Sequence, residues 1–254
     1  MSILTTVLVF IIGFAAGFID AIVGGGGLIA TPAILSLFPS FSILQVIGTN
    51  RTSSIVGTSA AAWNYFRTVK LPSAMLVSAC LSACACSYLG AELASQIDAK
   101  LLKTIVLGVI VIIAIYSFFT KELGQTEHLK YPETQLPYIA AAVGGACGFY
   151  NGLIGPGTGT LLVFAFVSIV GLDFLKASAI SKVTNVSGDI SSWLVLLSKG
   201  YVFWPAAIPL VIGNVLGSYL GSRLAILKGS VFIRAVFIVV VFALILKVGY
   251  DLWK

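Results

Sequence analysis

Eight runs of about 20 mostly apolar residues occupy most of this chain. They fall at roughly 3–23, 42–66, 73–93, 101–120, 137–155, 175–198, 202–221 and 231–250. A helix of about 20 residues rises about 30 Å, which is the thickness of a bilayer's hydrocarbon core. Charge is too sparse for the other solution, a water-coated globule. Only 9% of residues are Asp, Glu, Lys or Arg, against about 25% in soluble domains. The expected fold is therefore an all-α polytopic membrane protein whose outer surface is covered by lipid. Two shorter apolar runs, 28–38 and 159–170, each follow a cluster of glycines. They read as half-helices, re-entrant segments or tilted helices.

The net charge of +6 does not point to nucleic acid. The basic residues are scattered singly between apolar runs, as membrane topology requires, and form no basic face. The N-terminus lacks the basic region of a signal peptide and reads as a first membrane helix kept in the mature protein. Cys80, Cys84, Cys86 and Cys147 lack the companions a metal would need, and the single histidine, His128, stands in a polar stretch. They read as small buried side chains. No metal and no cofactor is expected. Hydrolytic motifs such as G-x-S-x-G and HExxH are missing, and GPGTG lacks the Lys-Ser or Lys-Thr of a phosphate-binding loop.

The one long polar stretch, Lys121 to Pro137, lies near mid-chain. The sequence on either side repeats. Gly17-Phe18 aligns with Gly148-Phe149 (148 − 17 = 131), Asp20 with Asn151 and Gly24 with Gly155. Thr49-Asn50 aligns with Thr184-Asn185 (184 − 49 = 135), and Ser87-Tyr88-Leu89-Gly90 with Ser218-Tyr219-Leu220-Gly221. The reading is a first transmembrane repeat at 1–120, a linker at 121–136 and a second repeat at 137–254. Each repeat has four spans, or five if the short segments cross, with helices broken at the glycine motifs. The distribution of loop cations mildly favours five plus five with the N-terminus outside.

Gly24–Gly27 and Gly155-Pro156-Gly157-Thr158-Gly159 sit at matching places, each after an apolar helix. Glycine and proline break helices. Broken backbone at membrane depth is tolerated where protein buries it or a wet cavity meets it. The next helix then starts inside the membrane with free N–H groups, a ready anion site. Gly25, Gly26, Gly27, Gly157 and Thr158 are candidates for that role. Gly13 and Gly17 read instead as close helix packing.

The second pair of motifs, Thr49-Asn50-Arg51 and Lys182-Val183-Thr184-Asn185, lies near the start of two long helices. Arg51 could clasp an oxyanion with its planar fork, and Lys182 could supply a point charge. Thr49, Asn50, Thr184 and Asn185 would orient it by hydrogen bonds. Either cation alone could snorkel to the interface, an alternative that their pairing at matched positions weakens. Asp20 and Asp189 are intramembrane carboxylates. Each fits a coupling charge or a structural one, and Asp20 could pair with Arg51.

These motifs together resemble the sulfite exporter TauE/SafE family of membrane permeases, in particular its YfcA-like branch. The resemblance is carried by GFIDAIVGGGGLIATPAI (17–34), IGTNR (47–51), GFYNGLIGPGTGTL (148–161) and KASAISKVTN (176–185). It extends over essentially the whole chain. The family often has Lys after the first GTN, where this chain has Arg51. The resemblance implies a secondary transporter of small sulfur-containing or organic anions in a bacterial-type inner membrane. With it go a small anionic substrate, the lipid bilayer and a coupling ion as partners, with homo-oligomerisation left open. An anion channel and a non-transport scaffold are the alternatives.

Overall fold

The structure, a computed structural model, describes residues 1–94 and 124–253, with the side chains of 243–253 excepted. The predicted span at 101–120 and the first linker residues lie outside the described residues. Among the described residues the regular structure is helical.

Eight elements follow in chain order. The first four are α1 (Ile3–Val23), α2 (Gly26–Leu37), α3 (Ile43–Thr68) and α4 (Ser73–Ala94). The next two are α5 (Leu136–Leu153) and α6 (Thr158–Ala165), the latter running on into a π-helical turn at Phe166–Val170. The last two are α7 (Phe174–Ser198) and α8 (Trp204–Trp253). The final element is broken at Gly229 (φ 71°, ψ −168°), between the two predicted runs at 202–221 and 231–250. The order long, short, long, long thus occurs twice.

The starts of the long helices are written in the sequence. Ser2 accepts a hydrogen bond from the Thr5 N–H at 3.1 Å and caps α1. Ser42 and Gln45 cap α3 reciprocally, at 3.2 and 3.0 Å. Asp173 accepts from the Lys176 N–H at 2.9 Å at the head of α7. Each cap satisfies a donor that the first turn would otherwise leave free.

α1, α4 and the Trp204–Phe242 stretch of α8 are long and apolar enough to cross a membrane. α3 and α7 form where spans were predicted but carry more polar residues, most of them turned inward, and α5, also at a predicted span, has 18 residues. α2 has 12 residues and α6 with its π-turn has 8 and 5. At about 1.5 Å per residue, each is shorter than the ~30 Å hydrocarbon core.

Packing is exchanged between the two halves of the sequence. α1 lies along α8, with Gly13 and Gly17 against the backbones of Leu210 and Asn214. α5 lies along α4, with Gly144 and Gly148 against Ala79 and Ala83. Small residues at four-residue spacing let two backbones approach closely where apolar burial gives no net drive. The first helix of each half is thereby fixed to the last described helix of the other.

The glycine clusters end α1 and α5 and re-aim the chain. Gly24, Gly25, Gly155 and Gly157 all have positive φ, between 81° and 91°. Gly24 is further constrained, because a Cβ there would run into the backbone of Gly159 and Thr160. Gly24→Ala is expected to cost about 1–2 kcal/mol from the left-handed backbone alone, and more from the displaced start of α6. A thermal melt of the purified variant checks this; an unchanged midpoint would show that the two breaks do not abut.

Candidate functional site

Two breaks that abut leave their helix ends facing each other in the protein interior. At the end of α1 the Asp20 carbonyl accepts from the Gly24 N–H at 2.8 Å and keeps a second lone pair, and the last carbonyls of α5 lack intrahelical partners. A cation reaches each helix end. Lys182 Nζ of α7 donates to the backbone oxygen of Asp20 on α1. Arg51 Nη2 of α3 donates to the backbone oxygen of Asn151 on α5, and lies 3.4 Å from that of Gly152. Asp20 and Asn151 are the residues that align between the halves. Each half thus lends a cation to the negative end of the other half's broken helix.

The side chains at these two positions then turn to the following helix. Asp20 Oδ1 accepts from the Gly26 N–H at 3.0 Å, at the head of α2. Its Oδ2 accepts from Thr58 at 3.2 Å and lies 3.5 Å from Lys182 Nζ. Asn151 Oδ1 accepts from the Thr158 hydroxyl at 3.2 Å, at the head of α6. Asn151 Nδ2 donates to Asp189 Oδ1 at 2.9 Å. Asp189 Oδ2 accepts from Ser54 at 2.8 Å and from Asn185 Nδ2 at 3.1 Å. Ser54 and Asp189 are themselves 135 positions apart, the offset of the two Thr-Asn motifs.

Between the breaks lies a small cavity of about 30 Å³, room for about two water molecules. Asn50, Arg51 and Ser54 of α3 line it, facing Asn185 and Asp189 of α7 and Asp20 of α1. Gly25, Gly27, Gly157 and Thr158 belong to the same wall. Spacing explains part of this. Asn50 and Ser54 are four residues apart on α3, as are Asn185 and Asp189 on α7, so each pair shares a helix face.

Arg51 is 3% exposed, and its Nε and Nη1 have no hydrogen-bond partner. Among the described residues no carboxylate forms an ion pair with it. Asn185 Oδ1 and Thr31 Oγ1 also line this region without partners. Buried polar groups are nearly always satisfied, so this cluster of orphans makes the cavity the candidate site.

Several candidates lie elsewhere. Lys182 is off the cavity, drawn to Asp20. The expected option of an Asp20–Arg51 pair is replaced by an Asp20–Lys182 pair, because the two end-capping cations cross between halves. The Thr49 hydroxyl accepts from the Phe203 N–H at 3.0 Å and fixes the start of α8 to α3. Thr184 faces α4, with its hydroxyl 4.0 Å from the Cys80 sulfur. Gly26 meets the site only through its N–H on Asp20. Thr31, Ser54 and Thr58 were not singled out as candidate ligands. Ser54 could have been found from the i, i+4 step after Asn50, and Thr31 from its place one turn beyond the glycines.

A family model described as Sulfite exporter TauE/SafE matches residues 9–248. A probable membrane transporter protein of Haemophilus influenzae is 31% identical over 246 residues, covering 96% of this chain and 94% of the relative. The probable membrane transporter protein YfcA of Escherichia coli K12 is 31% identical over 249 residues, covering 95% and 88%. A more distant relative, the probable membrane transporter protein YdhB of Bacillus subtilis, is 23% identical over 239 residues, covering 91% and 94%. No solved structure matches.

Proposed function

The chain belongs to the sulfite exporter TauE/SafE family, and from that premise we propose that it moves a small anion across the membrane by alternating access. Membrane transport, not enzymatic chemistry, is what the family and its named members have in common. The anion we propose is a sulfur oxyanion, sulfite or an organosulfonate. One observation carries the reading: Arg51, buried at the cavity, with two guanidinium nitrogens unpartnered.

A guanidinium presents a fork that matches two oxygens of an oxyanion. Asn50 flanks it and can donate to a remaining oxygen, and Asn185 Nδ2, one of whose hydrogens serves Asp189, has a second to donate. The N-terminal ends of α2 and α6 open beside it and favour negative charge. Gly25, Gly27, Gly157 and Thr158 are the backbone part of this site, and Gly26 supports it through its N–H on Asp20. Thr49, Thr184 and Lys182 support it from outside the cavity.

The rest of the proposal concerns the whole chain. We take it as a multi-pass protein of the cell (inner) membrane, made of two repeats, 1–120 and 137–254, joined by the linker 121–136. The matched cation-to-carbonyl contacts at Asp20 and Asn151 support a duplicated design. A cavity with room for about two waters supports a closed state that must open to load, which disfavours an open anion channel.

The test is tracer flux in proteoliposomes. Uptake of radiolabelled sulfite or sulfoacetate should saturate, and the same anion trapped inside should accelerate it. Flux that stays linear with concentration would indicate a channel. No flux of either anion would remove the substrate class.

A further inference from the structure

The charged side chains buried among the described residues are Asp20, Arg51, Lys182 and Asp189. Their formal charges cancel. Asp20 and Lys182 cancel locally, at 3.5 Å. That leaves Arg51 and Asp189, which face the same cavity without forming an ion pair. Both oxygens of Asp189 are held by neutral donors, Ser54, Asn151 and Asn185.

An anion that docks on Arg51 takes up the cation that faces Asp189 across the cavity. Two negative charges would then share a small cavity with one cation. An uncompensated buried charge is too costly to persist. Either a cation enters with the anion or Asp189 loses its charge. Among the described residues no group of three or more His, Cys, Asp or Glu that could hold a metal ion lies at the cavity.

We propose that Asp189 takes up one proton from water as the anion binds Arg51, so that anion and proton travel together. This rests on the anion reading of the Arg51 site. The proton bonds to one Asp189 oxygen; no bond in the anion breaks and no electron moves. The Ser54 hydroxyl, which donates to that carboxylate when it is ionised, can rotate to accept from it when it is protonated. Asp20 is less suited to the task, because Lys182 lies 3.5 Å from its carboxylate and the Gly26 N–H donates to it.

The groups that surround Asp189 are few. α3 brings Arg51, α1 brings Asp20, and its own helix brings Lys182. The titratable groups on the neighbouring α4 and α5 are Cys80, Cys84, Cys86, Tyr88, Glu92, Tyr138, Cys147 and Tyr150, and α6 has none. On α8, Arg223 and Lys228 are exposed and Arg234 is half-buried. Asp189 is thus the group whose charge is least provided for once an anion is present.

The experiment is calorimetric titration of the purified protein with methanesulfonate and isethionate, in buffers of different ionisation enthalpy. Both probes stay ionised across the working pH range, so any proton taken up belongs to the protein. We expect one proton per anion, and affinity that falls about tenfold per unit of pH above the carboxylate's titration. Asp189→Asn should bind with no proton uptake and a flat pH profile. Should that variant fail to fold, Ser54→Ala removes one donor from the ionised carboxylate and should move the wild-type profile to higher pH.

Anion binding without proton uptake, or binding that requires sodium, overturns the proposal and leaves the Arg51 site standing. Proton uptake that persists in Asp189→Asn overturns the assignment to this residue. Failure of both probes to bind the wild type removes the sulfonate reading and this inference with it.

Discussion

Arg51→Lys should weaken anion binding about a hundredfold and leave the fold intact. Lysine keeps the charge and can still reach the carbonyls of Asn151 and Gly152, where Arg51 Nη2 now donates. What it lacks is the second face of the guanidinium, the Nε and Nη1 left free at the cavity. A hydrogen bond to a charged group is worth about 1.5–3 kcal/mol. Losing two, with partial recovery from a mobile ammonium, gives the hundredfold figure. Arg51→Ala should abolish binding and also loosen the end of α5. Thermal shift and calorimetry on both variants measure this. Equal affinity in Arg51→Lys would show that the fork is not used. Unchanged affinity in Arg51→Ala would remove the site.

The second large effect is on stability. Asp20→Asn should destabilise the protein by about 3–5 kcal/mol, because it leaves the Lys182 ammonium buried with no carboxylate beside it. Lys182→Met should cost less, since Asp20 keeps the Gly26 N–H and the Thr58 hydroxyl. The double variant should fall short of the two single losses added together, as residues in contact do. Unfolding of the purified protein by increasing detergent denaturant reads all three. If Asp20→Asn unfolds with wild type, the pair contributes nothing to the fold, and Lys182 becomes available for the anion.

Much of the helix layout could be read directly. Runs predicted at 3–23 and 73–93 form helices at Ile3–Val23 and Ser73–Ala94. Apolar length decides such elements, and a serine cap marks where α1 begins. The glycine clusters announced their breaks because no other residue tolerates positive φ so cheaply. The polar spans α3 and α7 were legible as helices but not as to which face turns inward. That depends on partners far along the chain. Arg51 finds its carbonyl 100 residues away, and Lys182 finds its own 162 residues away. Sequence pointed to both cations as a matched pair of ligands. Three-dimensional packing separates them, because among the described residues Lys182 forms an ion pair with a carboxylate and Arg51 does not. The exchange of α1 onto α8 and α5 onto α4 left a trace only in the glycine spacing.

The crossed cations also bear on how the protein is made. The end of α1 is synthesised 162 positions before the lysine that caps it. At about 5–20 residues per second, the Asp20 carbonyl waits roughly 8–30 s in the membrane before its partner leaves the ribosome. For that interval the Asp20 carboxylate, and the lone pair of its carbonyl that the Gly24 N–H leaves open, are without their cation. A nascent chain stopped after α4 would expose both, together with an Arg51 that has no α5 to cap. Quality-control proteases should therefore recognise the first half as unfinished until the second arrives, and this polypeptide should reach its mature state late and in one concerted step.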